Sequence, residues 1–332
     1  MGRPRKNVEE TASADSNSEY LDASFILDNP KKIISVSPAL DIVLSGGIPE
    51  STVAIFKADP KIGKTTLALK VAAKGQKQFG KKVIYINVEN RLSKKNLEGV
   101  KGLDISPEMF KIISSEKGNI LSAEQILEKT EKALIDFPES IFIFDSFSSL
   151  SGAAEKTNKY GEGYGNLDVR KMEGTFARRT SPIVMVNNSI ILGIAHVSPN
   201  ISMPGKSTSI GKKTVYAMDL ELSLKKVYPQ GDWTAGDRLV GQKIQIDCLT
   251  SALGPPGQSC VCWLKYGEGY SDEAELAQLA IDLSLIEKKG AGWMEIEKFG
   301  LKAQGMDNMV TLLEQRSDVF DYLNDQVKEM VK

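Results

Sequence analysis

Residues Lys57–Lys70 read KADPKIGKTTLALK. They follow the phosphate-binding pattern G-x-x-x-x-G-K-[ST] except at its first position, where Ala58 stands in place of glycine. On the N-terminal side, TVAIFKA is an apolar strand; on the C-terminal side, TTLALKVAAKGQKQFG has helix formers closed by Gly80. A loop between a strand and a helix is the context this pattern needs. The loop residues Ala58, Asp59, Pro60, Lys61, Ile62 and Gly63 then present backbone N–H groups (Pro60 excepted) to anionic oxygens, beside the N-terminus of the helix. Lys64 adds a point charge, Thr65 a hydroxyl for magnesium, and Thr66 completes the helix start. If the first position requires φ > 0, alanine there costs about 1–2 kcal/mol, which weakens a nucleotide site without abolishing it.

Strand and helix patterns continue to alternate downstream. KKVIYINVEN reads as a strand, and SAEQILEKTEKALIDF places Ile126, Leu127, Thr130, Ala133 and Leu134 on one helical face. SIFIFDSFSSL is a continuous apolar run ending in Asp145, as a strand buried on both faces requires, and NSIILGIAHVS is another, ending at His196. YAMDLELSL, GQKIQIDCLT and SCVCWLKYG alternate more and are expected as antiparallel additions at one end of the sheet. The expected architecture is α/β, a mostly parallel sheet with helices on both faces. A flexible N-terminal tail would open the chain within residues 1–34, and the core would occupy 35–268. A small α+β C-terminal domain, 269–332, would hold a helix, a hairpin and closing helices.

Three side chains at strand ends carry candidate chemistry. Asp145 is placed to hold a magnesium shell, although a turn or helix-cap role suits it too. Glu89, at the end of the neighbouring strand, lies where ligands of open α/β sheets collect, and can orient or deprotonate a water. His196, the single histidine, can meet a terminal phosphate and report its presence to the segment that follows. That segment, SPNISMPGKSTSIGKKT, carries Lys206, Lys212 and Lys213 and no acid. An earlier loop, SGAAEKTNKYGEGYGNL, has Tyr160 and Tyr164 and precedes a helix bearing Arg170, Lys171, Arg178 and Arg179. Loops of this kind suit contact with a phosphate backbone.

The bulk composition hides that local basicity: 332 residues, 41% hydrophobic, 26% charged, formal net charge -1. Cys248, Cys260 and Cys262 with one histidine favour buried thiols over a disulfide framework or a zinc site. No run is long enough to span a membrane, and the polar N-terminus is no secretory signal, so the expected location is the cytoplasm. GRPRK at the N-terminal tip is either solvated or a DNA-contacting arm.

In order, ALDIVLSGGIPESTVAIFKADPKIGKTTLAL, VIYINVENRL, IFIFDSFSSL, the strand ending in His196 and LKYGEGYSDEAELAQLAIDLSLIEKKGAGWMEI resemble the RecA family of strand-exchange recombinases. The likeness runs from about Ile26 to the C-terminus. The histidine in place of a glutamine sensor and the short N-terminus are closer to phage recombinases of the UvsX kind. The resemblance implies a RecA-like P-loop ATPase core using ATP and Mg2+. In it Lys64 and Thr65 bind phosphate and magnesium, Glu89 is the catalytic base, Asp145 the Walker-B acid and His196 the γ-phosphate sensor. Tyr266 and Gly267 would lie near the nucleobase. The two basic loops would bind DNA, with Arg170 and Arg178 beside the first. It further implies a helical filament on single-stranded DNA that pairs with homologous duplex, with docking through ASFILDN. Single-strand-binding and loader proteins would be partners. Three departures stand out: Ala58, Asn96 where an aromatic would face adenine, and CLTSALGPP, with Thr250 and Ala252 near where interface lysines would stand. These leave open an ATP-clamped DNA-coating filament or mediator with little hydrolysis. A RecA-fold helicase or repair ATPase is the remaining alternative.

Overall fold

The computed structural model describes residues 24–153, 166–197, 218–251 and 254–331. Helix α1 (Ser24–Asp28), strand β1 (Ile33–Ile34), helix α2 (Pro38–Val43) and strand β2 (Ile48–Pro49) open the chain, with β1 and β2 antiparallel. Then β3 (Thr52–Ala58), α3 (Lys64–Phe79), β4 (Val83–Asn87), α4 (Lys94–Glu98) and β5 (Phe110–Ser114) follow in alternation. So do α5 (Ala123–Asp136), β6 (Ile141–Asp145), α6 (Asn166–Val186) and β7 (Ile190–His196). Strands β8 (Leu220–Lys226), β9 (Asp232–Ala235), β10 (Arg238–Ser251), β11 (Ser259–Lys265) and β12 (Gly269–Tyr270) complete a 10-stranded sheet. Its order is β12-β11-β10-β8-β3-β7-β6-β4-β5, with β9 on β10. The strands from β8 through β3, β7, β6 and β4 to β5 are parallel.

One strand runs contrary to expectation. β8 pairs parallel with β3, Ala54 opposite Leu220, and the antiparallel part begins only at β10. The alternation in LELSLKK reports a half-covered face, with Leu220, Leu222 and Leu224 inward, and carries no information on strand direction. The short β9 was not expected.

Why β3 is apolar almost throughout follows from its two covered faces. Ala54 and Phe56 pack with Leu67, Ala68 and Val71 of α3, whereas Val53 and Ile55 pack with Phe142, Phe144 and Phe176. In α5 the buried side chains include the expected Ile126, Leu127, Thr130, Ala133 and Leu134, and Ser122 with Gln125 forms a capping box at its start. Gly193 in β7 permits a close approach: a Cβ there would lie 2.6 Å from the ring of Phe147. That ring stacks on Phe144 at 4.0 Å and so seats the turn after Asp145.

The remaining elements are α7 (Asp272–Asp282), β13 (Glu287–Lys288), β14 (Trp293–Ile296), β15 (Leu301–Gln304), α8 (Met306–Gln315) and α9 (Ser317–Met330). β13, β14 and β15 form an antiparallel sheet, one strand more than the expected hairpin. They share a core of Leu276, Ile296, Leu313 and Leu323. Trp233 and Trp263, edge to face at 5.2 Å, join this part to the large sheet through Ala274 and Val310. Lys70 of α3 reaches across to Asp272 at 2.5 Å and to the carbonyl of Tyr270 at 3.2 Å, and Lys74 takes the other oxygen of Asp272. Among the described residues no helix is long and apolar enough to cross a membrane.

Candidate active site

Strands β3, β4, β6 and β7 are parallel, so their carboxyl ends share one edge of the sheet. There a cavity of about 510 Å3 is lined by Gly63, Lys64, Thr65, Thr66, Glu89, Asp145 and His196 among others. The loop from Asp59 to Gly63 crosses into α3 with Lys61 at φ 65° and Gly63 at φ 95°. Ala58 is different. It is the buried last residue of β3, paired in register with His196 and absent from the positive-φ positions. The strain expected at Ala58 therefore lies at Lys61, because the chain has not yet left the strand at position 58. At Gly63 a Cβ would stand 2.9 Å from the hydroxyl of Tyr270, which donates to the Gly63 carbonyl.

Lys64 is buried and donates to the carbonyls of Ala58 at 3.0 Å and Asp59 at 2.9 Å. Its Nζ also lies 3.3 Å from Nδ1 of His196. Burial pulls the Lys64 ammonium below its ordinary pKa, while the charges of Asp145, Asp59 and Glu89 oppose this. An ammonium has only donors, so Nδ1 of His196 accepts and the ring proton sits on Nε2. Nε2 then donates to Oε1 of Glu89 at 2.9 Å. Ser146 and Ser149 donate to the same oxygen at 2.9 and 2.8 Å, and Arg91 approaches Oε2 at 3.3 Å. Burial raises the Glu89 carboxyl, but the hydrogen bonds from His196, Ser149 and Ser146 together hold it below the usual glutamate value. Glu89 lies two residues beyond the end of β4, not on it.

Asp145 ends β6 as expected, and its Oδ2 accepts from Thr65 Oγ1 at 2.9 Å and from the Tyr85 hydroxyl at 2.5 Å. Burial raises its pKa against those two bonds. Thr65 and Asp145 present hard oxygen donors side by side at the cavity wall, the donor set that magnesium takes. Tyr266 and Gly267 line the same cavity. So does Asn96, whose side chain is engaged with Ser93 in the cap of α4. Pro60 and Lys61 also line it, whereas Ile62 packs against the core, and Ala58 and Asp59 serve through their carbonyls.

Arg170 and Arg178 are exposed on α6 and do not line the cavity. Lys206, Lys212 and Lys213, Tyr160 and Tyr164, Ala252 and the GRPRK tip lie outside the described residues. Tyr85, Arg91, Ser146 and Ser149 belong to the site without having been expected there. In the sequence the serines stand in DSFSS, a stretch equally suited to capping a turn, and Tyr85 stands inside an apolar strand.

The model of the RecA N-terminal domain matches residues 27–271. Protein RecA of Xanthomonas axonopodis pv. citri is 26% identical over 311 residues, covering 92% of this chain and 86% of that protein. Protein RecA of Chloroherpeton thalassium is 28% identical over 304 residues, covering 89% of this chain and 80% of that protein. Protein RecA of Xylella fastidiosa (strain M12) is 28% identical over 290 residues, covering 85% and 79%. With the family match spanning the whole phosphate-loop sheet, the chain belongs to the RecA family.

Proposed function

We propose that this chain is a DNA-dependent ATPase that forms filaments on single-stranded DNA and promotes pairing and strand exchange with homologous duplex. The observation that carries the reading is the convergence of Lys64, Thr65, Asp145, Glu89 and His196 on one cavity. In this reading the phosphates of ATP take over the Lys64 ammonium from the carbonyls of Ala58 and Asp59. The γ-phosphate enters between Lys64 and His196, and His196 lets go of Glu89. Glu89 then takes the proton of a water as that water attacks the γ-phosphorus and ADP leaves. Thr65 and Asp145 would hold magnesium, which would supply neutralising charge to the phosphate oxygens. Tyr266 and Gly267 stand beside the base. His196 ends β7, so its movement passes directly into the basic segment from 198 onward.

The proposed partners are DNA, further copies of this chain docked through the exposed Ile26 and Leu27 of α1, and single-strand-binding and loader proteins. The proposed division is 1–34, 35–268 and 269–332, and the proposed location the cytoplasm, that of a bacterial host for a UvsX-like phage protein. One observation favours a second reading, an ATP clamp that hardly turns over: Oε1 of Glu89 already receives His196, Ser146 and Ser149. ATP hydrolysis with and without single-stranded DNA, across a salt series, separates the two. Strong stimulation supports the recombinase, and DNA binding that needs ATP but yields negligible phosphate supports the clamp. Lys64→Ala should abolish nucleotide-dependent filament formation, and electron microscopy of filaments on DNA would show whether it does.

A further inference from the structure

Tyr85 is fully buried, and its place in VIYIN sets it on the α3 face of the sheet with Val83. Packing alone asks only for a ring there, since Tyr85 lies against Phe110 with centroids 6.1 Å apart. A phenylalanine would fill the same space without bringing a hydroxyl into the core, where it costs free energy unless bonded. Among the described residues the hydroxyl has one partner, Oδ2 of Asp145 at 2.5 Å. Thr65 donates to that same oxygen at 2.9 Å. Among the described residues none donates to Oδ1, and Asp145 lines the cavity.

We infer that Tyr85 is a positioning residue for the metal: by holding Oδ2 from within the core, it fixes the Asp145 carboxylate so that Oδ1 faces the phosphate cavity. This rests on the reading of Thr65 and Asp145 as the magnesium-holding pair. Thr65 has its own oxygen to offer the metal, whereas the Tyr85 hydroxyl, among the described residues, bonds the carboxylate alone. Outer-shell donors of this kind commonly change metal affinity by about 10–100-fold when removed.

The test is calorimetric binding of a non-hydrolysable ATP analogue over a Mg2+ titration, using the full chain, Tyr85→Phe, Asp145→Asn and the double variant. Tyr85→Phe should need about 10-fold more Mg2+ to reach half of its metal-dependent gain in affinity. Its affinity for the analogue in EDTA should stay as in the parent chain. A purely structural tyrosine would lower the thermal midpoint and leave the Mg2+ requirement alone, and that result overturns the inference. The double variant supplies a second check. If Tyr85 works through Asp145, adding Tyr85→Phe to Asp145→Asn changes the Mg2+ dependence no further. Additive defects overturn the inference while leaving the nucleotide site intact. A parent chain whose binding ignores Mg2+, or that binds no better than Lys64→Ala, fails at the nucleotide reading and takes the inference with it.

Discussion

Glu89 accepts hydrogen bonds from His196, Ser146 and Ser149 at once, and a carboxylate so engaged is a weak base. In the proposed mechanism Glu89 would therefore act as base only once His196 has turned away. Glu89→Gln should stop hydrolysis and leave ATP-driven DNA binding intact, because an amide keeps the shape and loses the basicity. Phosphate release and DNA-binding assays on one preparation check both halves. Normal turnover by that variant would remove Glu89 from the role of base. At this scale Lys64, Thr65, Asp145 and His196 were legible in the sequence. The phosphate loop has fixed spacing, and a polar residue closing an apolar run marks a strand end. Tyr85 and Ser149 were not, because their partners lie 60 residues away in the chain and meet them only once the strands are ordered.

The elements were legible wherever hydrophobic period and end signals agreed. α3 closes at Gly80 in a left-handed conformation, φ 64°, as its sequence indicates. The direction of β8 was not legible, because a half-covered strand alternates whether its neighbour is parallel or antiparallel. Helix α6 holds an unusual acid: burial pushes the Glu173 carboxyl up to about 7, against the pull of Arg170. The folded state thus binds the Glu173 proton more tightly than the unfolded chain does. Its contribution to stability is complete below about pH 4.5 and is lost as pH rises through about 7. Glu173→Gln should therefore match the parent near pH 4 and be more stable above pH 7, by at most about 3 kcal/mol. Urea unfolding at the two pH values measures the difference, and an equal gain at both would mean that charge is not its source.

On the scale of the molecule, the net charge of -1 says nothing about DNA, and the proposed DNA contact rests on local basic segments. Replacing Lys206, Lys212 and Lys213 together should weaken DNA binding and reduce the slope of log affinity against log salt by up to about 3. A fluorescence titration at several salt concentrations reads that slope, and an unchanged slope would place DNA elsewhere.

Lys70 and Asp272 meet inside the protein, one from the phosphate-loop helix and one from the first helix after the large sheet, with Glu275 buried beside them. Withdrawing Asp272 would strand the buried Lys70 ammonium, at a cost of about 3–5 kcal/mol, whereas Asp272 also holds Lys74. Melting of the C-terminal elements should then be inseparable from melting of the nucleotide-binding sheet. Calorimetry would register a single heat-absorption peak, and a chain stopped after residue 271 would lose the whole transition rather than its upper half.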